Sequence, residues 1–297
     1  MSLLLLKMNR EIKDMKKLKK QCSLSVFIIL IQLSFGVLAA GETNNRDDVK
    51  YDFNPILLDS EGSDSSVLGV EYTFSDYLLS NEFDSVDDPD CTDYTCPYTI
   101  GSAKLKYEMK GVLAENSEKN PKNFIEFELD GSYLHAASDS TVIWSGGLFA
   151  KYEANQTFES KQFAYGITGA ITKWSMFHDN DYIGFVLNIG TVDPSDDTDR
   201  EEVLGTELDS YERVDIELVY RVPIDKGVLS NLEINYRYFK EVKSDLLIKN
   251  ANLDEFRLIT YHLSFNNGMY AAYSSGELPF NQRDNQIYEV GYTYKFD

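Results

Sequence analysis

The feature that most constrains the fold is an alternation of apolar and polar residues with a period of two, which continues from residue 66 to the C-terminus. Successive side chains of a β-strand point to opposite faces, so this period is typical of strands. The last segment shows it most clearly, because one face carries only aromatic and apolar side chains: Tyr288, Val290, Tyr292, Tyr294 and Phe296. No stretch after residue 66 has a convincing helical period, so the pattern predicts an all-β fold.

Eleven segments of about ten residues share this alternation. They are 66–75, 100–113, 124–134, 141–153, 162–174, 182–192, 213–222, 232–239, 255–265, 269–275 and 287–296. Lys50 to Leu58 is a weaker twelfth candidate, because it contains Pro55, which suits an edge or the end of a strand.

Many alternating strands fit either a soluble sandwich or barrel, or a transmembrane barrel with its apolar face toward lipid. A tilted strand that crosses a membrane needs about 9–11 residues, whereas strands of soluble proteins are most often about 5–6 residues long. Tyrosines such as Tyr107 and Tyr220 lie near the ends of apolar faces, where a membrane interface favours them. We therefore predict a transmembrane antiparallel up-and-down β-barrel over 66–297, preceded by an acidic segment, 41–65, that includes the candidate first strand. A secreted soluble β-sandwich is the alternative.

The strand count is even if both ends of the barrel lie on the same side of the membrane. It is 12 if Lys50 to Leu58 is a strand, and 10 if the region 154–181 holds fewer strands than the pattern suggests; 12 is favoured. The short turns Asn266 to Gly268 and Pro223 to Gly227 would then be periplasmic, as would the segment 76–98. The acidic segments 193–209, 242–253 and 276–285 would be outer loops.

The first 40 residues have the composition of a secretory signal peptide. Lys16, Lys17, Lys19 and Lys20 precede the apolar run Val26 to Leu38, and Ala39-Ala40-Gly41 follows it. We predict cleavage after Ala39 or Ala40, with residues 1–14 as an upstream extension of the reading frame. The alternative is an N-terminal membrane anchor, although this apolar run is shorter than the roughly 20 residues that a spanning helix needs.

The charge balance excludes some classes of function. The chain has 28 Lys and Arg against 49 Asp and Glu, a formal net charge of −21. Loss of residues 1–40 removes seven basic and two acidic residues and brings the net charge to −26. Nucleic-acid binders need basic residues against phosphates, so that class is excluded. Disordered acidic chains lack the 13% of aromatic residues found here.

Two cysteines remain after signal cleavage, Cys91 and Cys96. In an oxidising compartment, two cysteines this close most simply form a disulfide. A metal site would want further Cys or His ligands nearby, and none lie near in the sequence. We predict a disulfide, no metal and no cofactor.

The C-terminal segment Tyr288 to Asp297 resembles the terminal strand of Gram-negative outer-membrane β-barrel proteins, which alternates and closes on an aromatic residue. That resemblance implies that Tyr292, Tyr294 and Phe296 form a signal for the barrel-assembly machinery, and that the protein lies in the outer membrane among lipid and lipopolysaccharide. Asp297 follows the aromatic residue, so the pattern of a final Phe is not met. The size and the strand count also resemble small monomeric channels such as the nucleoside-specific and oligogalacturonate-specific porins.

The polar faces of the predicted strands carry both signs of charge. The basic residues are Lys104, Lys106, Lys110, Lys151, Arg213, Arg221, Arg237, Arg257 and Lys295, and the acidic residues are Glu71, Glu108, Glu126, Glu128, Asp130, Glu153, Asp215, Glu217, Glu233 and Glu289. Opposite charges on adjacent strands attract, which predicts a cross-strand ladder of ion pairs that fills the lumen. The alternative is a constriction with a basic wall and an acidic wall, which would orient charged solutes.

The acidic surplus lies mainly in predicted connections. Segment 193–209 has Arg200 as its one basic residue, and 76–98 has none. Carboxylate clusters bind divalent cations, which would bridge these loops to lipid headgroups. The alternative is an ordinary solvated acidic loop.

His262 and Ser264 resemble the spacing of the catalytic pair in outer-membrane phospholipases, where the pair faces lipid. Here Ile259, Tyr261, Leu263 and Phe265 form the apolar face, which directs His262 and Ser264 into the lumen. Nucleophile, base and orienting group must meet in space, and no flanking residues match that family. We therefore predict that the chain is not an enzyme.

The sequence thus predicts a porin-like passive channel for small solutes. A structural or interaction barrel with a side-chain-filled lumen and acidic loops for cations or partners is the alternative, and a phospholipase-like enzyme is a more remote one.

Overall fold

The computed structural model describes residues 50–60, 66–86, 98–115, 120, 122–137, 141–205 and 208–295. The chain divides into two compact units, Met1–Asp47 and Asp48–Asp297, and every described residue belongs to the second. Its strands are β1 Lys50–Ser60, β2 Val67–Val86, β3 Tyr98–Ala114, β4 Ile125–Ala137, β5 Val142–Ala154, β6 Lys161–Trp174, β7 Tyr182–Asp196, β8 Tyr211–Lys226, β9 Leu229–Val242, β10 Glu255–Phe265, β11 Met269–Leu278, β12 Asn281–Tyr292 and the two-residue β13 Tyr294–Lys295. Two short helices, α1 Thr198–Leu204 and α2 Leu246–Asn250, lie in connections. Neither of these helices is long and apolar enough to cross a membrane.

The strands form one closed antiparallel sheet in which each strand pairs with its neighbours along the chain. The ring closes where β1 pairs with β12, with Ile56 opposite Gly291. β13 continues the line of β12, since Phe53 of β1 lies opposite Tyr294. The prediction of an up-and-down β-barrel with 12 strands, rather than 10, is confirmed. Its first strand is β1, so the barrel begins before residue 66.

Pro55 marks the one irregularity of this closure. Proline has no backbone N–H to donate, and the pairing between β1 and the closing strand is interrupted between Phe53 and Ile56. β12 ends at this level, and the Thr293 N–H donates instead to the carbonyl of Gly268, at 2.8 Å. Pro55 therefore lies in the middle of β1, opposite Val70 of β2, and not at an edge or a strand end as expected, but at a point where the ladder on its other side is interrupted.

The two ends of the barrel differ. One end, here called the loop end, carries the connections 155–160, 197–210, 243–254 and 279–280, and the other, the turn end, carries 175–181, 227–228 and 266–268. The prediction of long connections at 193–209 and 242–253 and a short turn at Asn266 to Gly268 agrees with this arrangement. Segment 276–285 is not a long loop, however, because β11 and β12 extend until only Pro279 and Phe280 connect them. Similarly, β2 and β3 extend to Val86 and from Tyr98, into the segment expected to be a connection.

The outer face of the barrel is apolar and the inner face is polar. Leu148, Ile167 and Leu68 on the outer face are 66%, 57% and 60% exposed. Glu126, Glu153 and Gln162 on the inner face are each exposed by 1% or less. This is the inverse of a soluble barrel and is the arrangement of a transmembrane one, so the soluble sandwich does not describe this chain.

Two paired glycines let β6 and β7 approach closely on the inner face. Gly166 lies opposite Gly190. A Cβ on Gly166 would lie 2.1 Å from the Ile189 carbonyl oxygen, and one on Gly190 would lie 2.3 Å from the Tyr165 carbonyl oxygen. No side chain fits at these positions without displacing the backbone of the neighbouring strand.

Candidate functional site

The central contact of the lumen joins nearly opposite walls. Arg237 on β9 donates from Nη2 to Glu126 Oε2 on β4 at 3.2 Å, and Lys110 on β3 pairs with Glu126 Oε1 at 3.0 Å. β4 and β9 are five strands apart in a ring of twelve. Because Glu126 is only 1% exposed, these side chains occupy the middle of the lumen.

A second group of charges surrounds Arg213 on β8. Its guanidinium donates to both carboxylate oxygens of Glu153 on β5, at 2.8 and 2.7 Å, and pairs with Asp215 at 2.6 Å. Gln162 on β6 donates to Glu153 at 2.6 Å and accepts from the Tyr211 hydroxyl at 3.1 Å. Arginine matches carboxylates bidentately, so Arg213 joins β8 to β5, and Gln162 extends this network to β6. We call Lys110, Glu126, Lys151, Glu153, Arg213, Asp215 and Arg237 the charge layer.

The expected ladder between β3 and β4 forms only in part. Lys110 faces Glu126 in register, but Glu108 faces Glu128, which has the same charge. Glu108 is instead neutralised within its own strand by Lys106, at 2.6 Å, and Lys110, at 3.1 Å, and Glu128 by Lys151 of β5, at 3.2 Å. Asp130 lies on the same inner face opposite Lys106, and Lys104 lies 4.8 Å from the ring centre of Tyr77.

A third group, which we call the latch, holds Lys122, in the connection between β3 and β4, inside the barrel. Lys122 from that connection forms an ion pair with Glu289 on β12. The Tyr270 hydroxyl on β11 donates to Glu289 at 2.6 Å and lies 3.2 Å from Glu71 on β2. Buried apolar residues surround the latch: Ile56, Leu58, Val112 and Ile287. The latch therefore consists of Lys122, Glu289, Tyr270 and Glu71.

An aromatic residue of the same connection fills the space beside the latch. Phe124 is 5% exposed and packs with Phe239, Leu258 and Leu278 on β9, β10 and β11. Its ring centre also lies 5.5 Å from the Arg237 guanidinium. Lys122 was not predicted to lie in the lumen, since a connection has no strand period that would assign its residues to a face. Phe124 was included in the predicted strand 124–134 but was not named as a lumen residue, although it is two residues from Glu126.

The loop end is covered by the connection that contains α1. Asp197 is the N-cap of α1 and accepts from the Arg200 N–H at 3.2 Å. Burial raises the pKa of Asp197, against the lowering effect of this hydrogen bond. Arg200 itself points inward, where it pairs with Glu241 at 2.6 Å and donates to the Leu253 carbonyl at 3.2 Å. The one basic residue of the acidic segment is therefore an anchor for the loop.

The prediction that Arg257 lines the lumen is wrong. Its register partner is Tyr238, which lies on the outer face, and its side chain is 68% exposed and pairs with Glu255 at 2.9 Å. The period itself indicates this position, because Arg257 shares the face of Ile259 and Tyr261. The other predicted lumen residues with described side chains lie on the inner face, including Glu217, which accepts from Asn235 at 2.7 Å.

Several predictions concern residues outside the part of the chain that the structure describes. The signal peptide, Cys91, Cys96 and Phe296 lie outside the described residues. Tyr292 lies on the outer face and is 44% exposed, and Tyr294 pairs through its backbone with Phe53. Among the described residues, no group of three or more His, Cys, Asp and Glu side chains is arranged to hold a metal ion.

The inner face is more accessible toward the turn end. Arg221 and Glu233 form an ion pair on β8 and β9 with side-chain exposures of 47% and 22%. His262 and Ser264 on β10 are also partly exposed. Polar side chains of the inner face are therefore accessible toward the turn end, whereas Glu126, Glu153 and Arg213 of the charge layer are buried.

Comparison with known proteins adds two remote structural likenesses. OmpT with its loop L8 deleted, an outer membrane protein of Vibrio cholerae, superposes with a TM-score of 0.40 at 9% identity over 83% of this chain and 98% of that one. The translocator domain of the autotransporter NalP from Neisseria meningitidis gives a TM-score of 0.26 at 11% identity over 92% of this chain and 98% of that one. No family model and no curated protein matches the sequence.

The prediction that the chain is not an enzyme was wrong to exclude catalysis. It relied on the lumenal orientation of His262 and Ser264 and on the lack of matching flanking residues, but Ser264 Oγ lies 3.3 Å from His262 Nδ1 on the inner face. The likeness to OmpT gives no ground for the exclusion either. That prediction is therefore withdrawn.

A closed ring of twelve antiparallel strands, an apolar outer face and a buried, charged interior occur together here. Open sheet edges and unpaired backbone groups are avoided in lipid only by such closure. The chain therefore has the architecture of a transmembrane β-barrel.

Proposed function

We propose that this chain is an outer-membrane barrel that is closed to passive diffusion in the conformation described, and that it serves as a scaffold for ordered loops at the cell surface. The contact of Arg237 with Glu126 carries this proposal, because it spans nearly opposite walls with a carboxylate that is 1% exposed. A pore for small solutes would need an open path at this level. The proposal orients the barrel so that the loop end faces the outside of the cell and the turn end faces the periplasm.

The loops support the scaffold part of the proposal. The connection 197–210 is held inward by Arg200, while Glu201 and Glu202 on α1 remain exposed. A partner at this surface would meet carboxylates fixed on an anchored helix. Divalent cations that bridge such carboxylates to lipopolysaccharide are one partner of this chemistry, and basic protein segments are another.

Conductance in planar lipid bilayers tests the proposal. We expect refolded protein, with signal residues 1–40 removed, to insert without steps of conductance. Regular steps from the wild-type protein would overturn the closed barrel and favour the porin-like channel. That channel is the second candidate, favoured by the accessible inner face around Arg221 and Glu233.

Location is tested separately. We propose that the mature chain lies in the outer membrane of a Gram-negative cell after signal cleavage and insertion by the barrel-assembly machinery. It should fractionate with outer membranes and migrate differently in detergent gels before and after heating. Recovery in the soluble periplasmic fraction would contradict this location.

A further inference from the structure

The closed lumen is blocked by two sets of residues with different attachments. The charge layer belongs to the strands of the wall. The connection between β3 and β4 contributes Asn120 and Lys122 to Phe124, which we call the plug. These residues lie outside the sheet. β3 and β4 pair in register as far as Gly111 and Ile125 without using any plug residue. The ladder therefore does not depend on where the plug lies.

The plug is held by side-chain contacts with residues that remain in place if it moves. Lys122 pairs with Glu289, and Phe124 packs against β9 to β11. Asn120 donates to Gln156 Oε1 at 2.9 Å, and the Gln156 N–H donates to Asn123 Oδ1 at 2.6 Å. These contacts join the plug to β12 in the barrel wall and to the connection between β5 and β6.

The plug also supports the contact that spans the lumen. Arg237 lies between the rings of Phe124 and Phe239, 5.5 and 5.1 Å from their centres. Cation–π contacts of this kind orient a guanidinium. Withdrawal of Phe124 would free one side of Arg237, whose hydrogen bond to Glu126 is single and 3.2 Å long. Displacement of the plug would thus loosen the charge layer as well as empty its own space.

We propose that the plug is a gate: when Lys122 and Phe124 leave the lumen, the barrel conducts small cations. The selectivity follows from the inner wall. The lumen residues that the sequence predicted and the structure places on the inner face comprise ten acidic and seven basic residues, and Lys122 departs with the plug. An acidic surplus along a narrow aqueous path favours cations. This inference goes beyond the proposed function, which concerns the closed state.

Reversal of one charge of the latch tests the gate. In Lys122→Glu the new carboxylate faces Glu289 and Glu71, and the juxtaposition of like charges expels the plug. We expect the open probability in planar bilayers to rise by on the order of a hundredfold, with a reversal potential that indicates cation preference in a KCl gradient. The double variant Lys122→Glu, Glu289→Lys restores an attractive pair and should be silent again.

A matched control lies on the outer face. Lys240 forms ion pairs with Asp254 at 2.7 Å and Glu255 at 2.8 Å, so Lys240→Glu makes a similar reversal away from the lumen and should stay silent. Phe124→Ala gives an independent second variant that should also conduct. Each variant is first shown to be folded by its heat-modifiable mobility.

The possible results separate the gate from the proposed function. Folded Lys122→Glu and Phe124→Ala variants that stay silent beside a silent wild type would overturn the gate alone. Conducting steps of equal size and frequency in wild type and Lys122→Glu would overturn both. Conductance of Lys240→Glu equal to that of Lys122→Glu would also overturn the gate, because opening would then not require the plug.

Discussion

Arg237 and Glu126 meet at 3.2 Å although their strands, β9 and β4, are five places apart around the barrel. Glu126 also forms an ion pair with Lys110, and it is almost wholly buried. One carboxylate thus neutralises two cations from different walls. This geometry makes Glu126 the central carboxylate of the charge layer.

Glu126→Gln should therefore destabilise the folded barrel. Removing one partner of a buried ion pair leaves its cations uncompensated, which costs about 3–5 kcal/mol. Unfolding of detergent-folded protein in urea measures the loss. Glu233→Gln is the control, because its partner Arg221 is 47% exposed and an exposed pair contributes about 0–1 kcal/mol. Equal losses in the two variants would contradict the central role of Glu126.

Gly166→Ala should destabilise the barrel, while Gly169→Ala, on the same strand, should not. The added methyl group at Gly166 would lie 2.1 Å from a backbone oxygen, whereas at Gly169 the nearest atom is 3.9 Å away. Overpacking of this kind costs about 1–3 kcal/mol. The midpoint of thermal unfolding, followed by the loss of heat-modifiable mobility, measures the difference. A Gly166→Ala protein as stable as wild type would show that β6 and β7 do not approach this closely.

Asp181 should make the turn between β6 and β7 sensitive to acid. Its carboxylate accepts from the backbone N–H groups of Met176, Phe177 and His178 at 2.6, 3.0 and 3.1 Å. Burial opposes the charged form, but the Tyr220 hydroxyl and these N–H groups lower the pKa of Asp181 below its ordinary value. The stabilisation is therefore present above the unfolded pKa of about 3.9 and is lost as the pH falls through the lower folded value.

The fluorescence of Trp174, which packs on Tyr182 beside this turn, reports the change in a Trp144→Phe background. We expect the Trp174 fluorescence of the wild type to change only below about pH 4. In Asp181→Asn, the fluorescence at neutral pH should already equal that of the wild type in acid. Asp179→Asn, a neighbouring exposed position, should titrate like wild type. An unchanged titration in Asp181→Asn would assign the transition to another group.

Arg200→Ala should release α1 without unfolding the barrel. Glu241 is 8% exposed and would lose its partner, together with the contact of Arg200 with Tyr211 at 4.3 Å. The unpaired buried charge favours a loop that opens to water. Cleavage by a glutamate-specific protease at Glu201 and Glu202 should accelerate, while heat-modifiable mobility is kept. Arg257→Ala, whose side chain is exposed, should be cleaved at the wild-type rate, and equal rates in both variants would contradict the anchor.

The period of two determined most of the architecture. It located all twelve strands and placed the inward faces of β3, β4, β8 and β9, because the side chains of a strand alternate whatever its neighbours are. Arg257 was wrongly predicted to line the lumen, although it shares the outer face of Ile259 and Tyr261. The ends of β2, β8, β11 and β12 were less well predicted, since polar residues continue a strand wherever a paired neighbour satisfies its backbone.

Only the tertiary structure decided which inward side chains meet. Lys110 and Glu126 are register partners on adjacent strands, a relationship that a local pattern anticipates. Arg237 reaches Glu126 across the lumen, and Lys122 reaches Glu289 from a connection with no period. Such contacts depend on how the ring closes and on where a connection folds, and both are set by the packing of the whole barrel. The sequence by itself therefore determined a charged interior, and the closure of the ring decided which of these charges meet.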